Sequence, residues 1–386
     1  MPHPLAVSAA VAVAHGLNDL YAAFLHPLLP RIMEKLGLNI ALAATLAMTL
    51  SLAASVVQPI MGHLADRFGR RAFVVLGPLF SGVFMSLIGV APTFGALIFC
   101  LALGGLGSAA FHPPGASMAT SGGGGKSSGA RLSVFSFGGS FGYALGPLVA
   151  VTLAARLGLE RLWYGMVPLL LLLPVLYFLL PSGHSDRLQR ARSPIAHAPL
   201  GPLLRGPLGL VFGVSAVGAF VQRVFLTMEP IMISRAGGSE TAGAAMLSVY
   251  LGAQALGSIG GGFLADRADR RSLLLWLTLL SFPAHTLAMW LPAGAPITFA
   301  VAAIAGFLNM ALLPPIVLMA QELMPAGAAL GSGIVMGLAW ATGSIAMLGI
   351  GVLADAIGAQ PAALVAMPAM LIGAVFAAAL PRQPTR

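Results

Sequence analysis

The sequence predicts an all-α integral membrane protein of twelve transmembrane helices in two six-helix bundles. Three observations predict it: a composition too apolar for water, apolar runs of membrane length, and an internal repeat at an offset of 200 residues.

Of the 386 residues, 58% are hydrophobic and only 8% are charged, with a mean hydropathy of +0.93. A water-soluble domain carries about 25% charged residues, so the solvent for most of this chain is lipid. Glycine (48) and proline (28) are abundant, but apolar runs surround them, which excludes collagen and disorder and suits membrane helices. The single cysteine, Cys100, excludes an intrachain disulfide and a Cys-based metal site. No basic n-region or cleavage site precedes the first apolar run, which reads as a retained helix.

A span needs about 20 mostly apolar residues. Six runs fall near 5–29, 39–61, 72–91, 94–117, 132–155 and 162–181, and six more near 207–233, 241–264, 272–291, 296–320, 331–353 and 361–380. They are called spans 1 to 12 below. The predicted domains are residues 1–181 and 206–386, joined by a polar, Pro-rich linker over 182–205. With both termini cytoplasmic, that side collects fourteen Lys and Arg residues against five on the other, Arg223 alone lying inside a span. The net charge of +9 is therefore topological, and no nucleic-acid partner is expected.

The repeat is explicit. GHLADRFGRR (Gly62–Arg71) joins spans 2 and 3, and GFLADRADRR (Gly262–Arg271) joins spans 8 and 9. Pro113-Pro114 in span 4 and Pro314-Pro315 in span 10 repeat at an offset of 201, and GVLAD (Gly351–Asp355) ends span 11 as a third echo. Gly62 permits close helix approach. Asp66 can face a helix N-terminus, and Arg67, Arg70 and Arg71 can pair with it or with lipid phosphates. Span 5 carries Gly138, Gly142, Gly146 and Pro147, a flat face for close packing. TSGGGGKSSG (Thr120–Gly129) imitates a phosphate-binding loop, but Thr120 stands where that motif needs glycine and a membrane helix precedes it. It reads as a plain loop.

Ionisable groups within spans are costly and point to function. His15 and Asp19 share one face of span 1, flanked by Asn18 and Tyr21. Counted along the helices, Asp19 lies roughly 21 Å and Arg223 roughly 24 Å from the cytoplasmic ends of spans 1 and 7, so the two are expected to interact across a central cavity. A carboxylate whose Arg partner comes and goes takes up and releases a proton with conformation, and His15 extends the relay. His112 lies about 8 Å from the end of span 4, as a vestibule or kink residue. Glu229 is expected near the external end, solvated. Gln222, Gln254 and Asn309 complete a sparse polar set for a small-molecule site. There is no Ser-His-Asp spacing, catalytic carboxylate pair or metal cluster, so no enzyme, cofactor or metal site is expected.

GHLADRFGRR resembles the signature loop of the major facilitator superfamily, whose members have twelve spans with a parallel six-span repeat. The resemblance implies a conformational gate at Gly62, Asp66, Arg67 and Arg70, repeated at Asp266 and Arg267, though Asp269 stands where the pattern has glycine. The glycine face of span 5 is similar to that of the superfamily's antiporters. AHGLNDLYAAFLHPLLP, GLGSAAFHPPGASMA and QELMP (Gln321–Pro325) resemble the fosmidomycin resistance branch. Leu101 stands where drug antiporters often have Arg, and Pro114 where that branch has an acidic residue. The resemblance implies a monomeric proton-coupled drug exporter of the bacterial inner membrane. Asp19, His15, Glu229 and His112 would carry coupling, and Arg223, Asn18, Tyr21, Gln222, Gln254 and Asn309 would bind an amphiphilic or anionic solute. The alternative is a uniporter or symporter for a metabolite or metal chelator.

Overall fold

The computed structural model describes residues 4–120, 128–181, 204–324 and 328–381. Most of the predicted linker, residues 121–127 of the glycine-rich loop, and Pro325 of the Gln-Glu-Leu-Met-Pro string lie outside them. Among the described residues every regular element is helical, and eleven helices are long and apolar enough to cross a membrane. Span 1 makes the twelfth, as two helices, Pro4–Ala22 and Leu25–Leu36. The break has a covalent cause: Pro27 has no N–H to give the carbonyl of Ala23, and its ring crowds that carbonyl. Span 10 breaks likewise before Pro314-Pro315, into Pro296–Ala311 and Leu313–Leu323. Span 4 runs unbroken over Phe94–Thr120 despite Pro113-Pro114.

The residues group into two compact units. One holds Met1–Leu28 and Thr49–Pro194, the other Leu29–Met48 and Ile195–Arg386. Residues 29–48 thus pack with the C-terminal half, unlike the predicted division at the linker, and three contacts hold them there. Arg31 pairs with Glu240, its Nε 2.7 Å from Oε1. Asp355 accepts the amides of Ile40 and Ala41 at 2.8 and 3.0 Å. Gly351 lies where a Cβ would press on Ala44 and Ala41.

In the first unit, span 5 (Ser128–Leu157) lies on span 1 through glycine. A Cβ on Gly138, Gly142 or Gly146 would collide with the carbonyl oxygen of Ala12, Gly16 or Leu20 respectively. The four-residue spacing on one helix meets a four-residue spacing on the other, so two backbones touch without side chains between them. In the second unit the same device joins span 8 (Glu240–Ala265) to span 10, where Gly257 and Gly261 face the carbonyls of Phe307 and Ala311. Large apolar side chains point outward, Phe178 at 80% exposure among them. That surface suits a hydrocarbon solvent and no aqueous one.

Candidate functional site

Span 1 and span 4 build a titratable ring in the first unit. His15 Nε2 lies 3.2 Å from Asp19 Oδ2, and His112 Nε2 lies 3.4 Å from Asp19 Oδ1. His15 and Asp19 meet because a separation of four residues puts them one turn apart. Helical rise alone sets His112 well away from Asp19. The structure brings them together, because rise along one helix says nothing of tilt or of where a neighbouring helix begins.

The back of each group is held. His15 Nδ1 donates to the Phe135 carbonyl at 2.8 Å, and His112 Nδ1 to the Ser108 carbonyl at 2.7 Å. A carbonyl oxygen only accepts, so both Nδ1 atoms carry hydrogen and both Nε2 atoms turn toward the carboxylate. Asn18 Nδ2 donates to Asp19 Oδ1 at 2.8 Å and to Ser108 Oγ at 3.2 Å, while Ser81 Oγ donates to Asn18 Oδ1 at 2.9 Å. Asn18, expected to face a solute, is instead fully buried and holds Asp19. Tyr21 is buried too, its hydroxyl donating to the Gly165 carbonyl at 2.6 Å. One wall of the ring is aromatic: His15 stacks on Phe135 at 4.0 Å and leans on Phe111 at 5.4 Å. Gly139 leaves room for the imidazole, since a Cβ there would strike the His15 ring.

The second unit carries a polar row. Gln222 Nε2 donates to Gln254 Oε1 at 2.9 Å, Gln254 Nε2 to Asn309 Oδ1 at 3.1 Å, and Asn309 Nδ2 to the Gly218 carbonyl at 3.0 Å. Three of the expected solute ligands are thus linked across spans 7, 8 and 10. Gln222 and Asn309 also line a recess with Ser215, Gly218 and Trp340. The Arg223 guanidinium lies 5.9 Å from the Trp340 ring centre, a cation–π distance. Trp340 follows a π-helical turn, Ile334–Leu338, a local widening frequent at functional sites. Glu229, expected solvated, is completely buried, and neither carboxylate oxygen has a hydrogen-bond partner among the described residues.

The two repeated loops differ at one turn. In the first, Arg70 Nε donates to Asp66 Oδ1 at 2.8 Å, and Gly69 sits at φ 111°, a conformation that favours glycine. In the second, Asp269 takes φ −60° and caps span 9, accepting the Ser272 amide at 2.9 Å and its hydroxyl at 2.6 Å. These bonds hold the Asp269 carboxyl below the usual carboxylate range. Arg270 pairs there with Glu322 of the Gln-Glu-Leu-Met-Pro string, and the Arg267 guanidinium covers the Phe263 ring at 3.6 Å. Gly62 lies against Pro113, a Cβ there falling 3.3 Å from Pro113 Cβ, and Gly262 faces Pro314 at 3.9 Å. The repeated glycine thus meets the repeated proline pair in both halves.

Sequence reasoning missed the supporting residues Ser81, Ser108 and Phe135, and the role of Trp340. Ser108 had a readable signal, lying one turn before His112. The others come from distant parts of the chain.

Comparison with known proteins agrees with this architecture. The family model described as Major Facilitator Superfamily matches residues 11–329. An uncharacterised MFS-type transporter of Bacillus subtilis (strain 168), YfnC, is 28% identical over 366 residues, covering 91% of this chain and 87% of that protein. The fosmidomycin resistance protein of Escherichia coli (strain K12) is 27% identical over 353 residues, covering 90% and 86%. A probable 4-methylmuconolactone transporter of Cupriavidus pinatubonensis is 25% identical, covering 77% and 71%. Among solved structures, a bacterial homolog of the human lysosomal transporter Spinster, inward-facing and unoccupied, superposes with a TM-score of 0.78 at 17% identity, covering 98% and 96%. With its twelve spans, its doubled loop and a family match over most of its length, the chain belongs to the major facilitator superfamily of membrane transporters.

Proposed function

We propose that the protein exports small amphiphilic or anionic compounds in exchange for protons, by alternating access, across a bacterial inner membrane with both termini cytoplasmic. One observation carries this reading: both His15 and His112 turn Nε2 toward the carboxylate of Asp19. With Nδ1 committed to carbonyls, a neutral imidazole would present only a lone pair to an anionic oxygen. The arrangement is favourable when a proton sits between nitrogen and oxygen, which is the kind of carrier that exchange for protons needs.

The solute side is read from Arg223 and the Gln222–Gln254–Asn309 row, a single cation beside neutral hydrogen-bonding groups. Such a set suits a carboxylate or phosphonate group on an otherwise apolar body. The similarity to a fosmidomycin resistance protein and the glycine face of span 5 support export by exchange. Glu229 is a second carboxyl available to the cycle. The alternative, uptake or facilitated passage of a metabolite, draws on the relative described as a probable 4-methylmuconolactone transporter.

Reconstituted vesicles with an imposed pH gradient test both readings. Protons moving against solute, abolished by Asp19→Asn, with solute affinity lost in Arg223→Ala, is the expected result. Solute flux indifferent to the gradient, or moving with protons, overturns the exchange reading.

A further inference from the structure

We propose that the His15–Asp19–His112 ring also binds a divalent first-row transition-metal ion, such as Zn²⁺ or Co²⁺, in place of its protons. The proposal stands on the ring's geometry and does not depend on the direction of transport. No metal-ligand spacing marks these residues in the sequence, because the third ligand comes from another helix.

The donor set is the first ground. Two imidazole nitrogens and a carboxylate suit zinc, cobalt or nickel, whereas magnesium and calcium prefer oxygen alone. The three ligand atoms lie within 4.8 Å of one another, and the two nitrogen–oxygen separations are 3.2 and 3.4 Å. A tetrahedron with metal–ligand lengths of about 2.1 Å has donor–donor edges of about 3.4 Å. Each nitrogen already lies at about that distance from one carboxylate oxygen, His15 from Oδ2 and His112 from Oδ1, so an ion held by the carboxylate between them needs only an inward turn of the two rings.

The second ground is the support behind each ligand. A metal-binding imidazole almost always gives its other N–H to a carbonyl, carboxylate or water, and both histidines do so, through Phe135 and Ser108. The carboxylate is itself held by Asn18. A divalent ion satisfies two lone pairs and one negative charge at once, where protons must be distributed among them.

The third ground is access. The His15 side chain is 9% exposed against its aromatic wall, whereas Asp19 and His112 are 18% and 29% exposed. One side of the ring is open, which leaves room for an ion to enter and for water or an anionic group as a fourth ligand. Three protein ligands with an open position is the pattern of zinc sites that exchange ligands.

The test uses the full-length protein in nanodiscs, stripped of metal, titrated with Co²⁺ and followed by visible absorption and thermal unfolding. The expected result is one Co²⁺ per chain with a tetrahedral spectrum, displaced by Zn²⁺ and unaffected by excess Mg²⁺. Asp19→Asn, His15→Ala and His112→Ala should each weaken binding by about tenfold or more, while the triple variant His63→Ala/His184→Ala/His197→Ala retains it. Absence of the spectrum in the unaltered protein overturns the proposal, as does its loss in the triple variant. A chain that exchanges protons for solute without taking up Co²⁺ removes the metal and leaves proton exchange standing. A chain that binds Co²⁺ while its transport ignores the pH gradient does the reverse.

Discussion

Arg71 and Arg271 close the two halves of the chain in the same way. Arg71 Nε donates to the Tyr177 carbonyl at 2.9 Å, and Arg271 Nε to the Ala378 carbonyl at 3.2 Å. Each thus ties the start of a third span to the end of the sixth in its own half, using the last arginine of the repeated loop. The guanidinium of Arg71 also lies 3.7 Å from the Tyr177 ring centre. Arg71→Ala and Arg271→Ala should each lower stability by about 1 kcal/mol, the usual net value of such hydrogen bonds. Lysine should recover only part of it, since an ammonium lacks the planar fork. Thermal unfolding of the purified variants measures both effects.

Asp269 replaces a glycine turn with a helix cap. Asp269→Ala should cost about 1 kcal/mol, whereas Asp269→Asn, an equally good cap, should be near neutral at pH 7. The carboxyl is held below the usual carboxylate range by Ser272. A group depressed in the folded state stabilises above its unfolded value and loses that contribution as pH falls through its folded value. The stability that Asp269 confers over Asp269→Ala should therefore shrink in acid, while that of Asp269→Asn, which does not titrate, should hold. Unfolding scans of the unaltered protein and both variants at pH 7 and pH 3 measure this.

Gly142 meets the backbone of Gly16 with no side chain between. Gly142→Ala should force spans 1 and 5 apart and destabilise by about 1–3 kcal/mol. Gly95→Ala, where a Cβ meets nothing within 4 Å, serves as the comparison and should be tolerated. If both variants unfold alike, the backbone contact is not what holds these spans.

Gln254 both accepts from Gln222 and donates to Asn309. Gln254→Leu leaves two buried amides each short of a partner, at about 1–3 kcal/mol apiece. Solute binding should fall along with stability, while Gln254→Glu, which accepts but cannot donate, should break only the Asn309 link. Solute-binding calorimetry on the two variants separates these outcomes.

The architecture was legible because lipid leaves so few choices. A run of apolar residues long enough to cross must be a helix, and the Gly62–Arg71 and Gly262–Arg271 loops fixed how the runs repeat. His15 and Asp19 were legible as a pair because helical spacing is local. His112 was legible as a polar residue in a span but not as their partner, since helix tilt is set by packing. The burial of Glu229 was missed for the same reason: counted depth along span 7 suggested an exposed end, but span 7 is buried along nearly all of its last three turns. The grouping of residues 29–48 with the C-terminal half rests on Arg31–Glu240 and on Asp355, contacts between segments hundreds of residues apart.

Asp355 has a consequence for how the chain is made. The helix beginning at Ile40 receives acceptors for its first two amides from a residue 315 positions downstream. During synthesis span 2 emerges without this acceptor, which arrives only once span 11 has been translated and inserted. Assembly of this helix end is therefore a late, post-insertion event. A chain truncated before residue 351 should insert its early spans but leave the start of span 2 exposed to quality-control proteases.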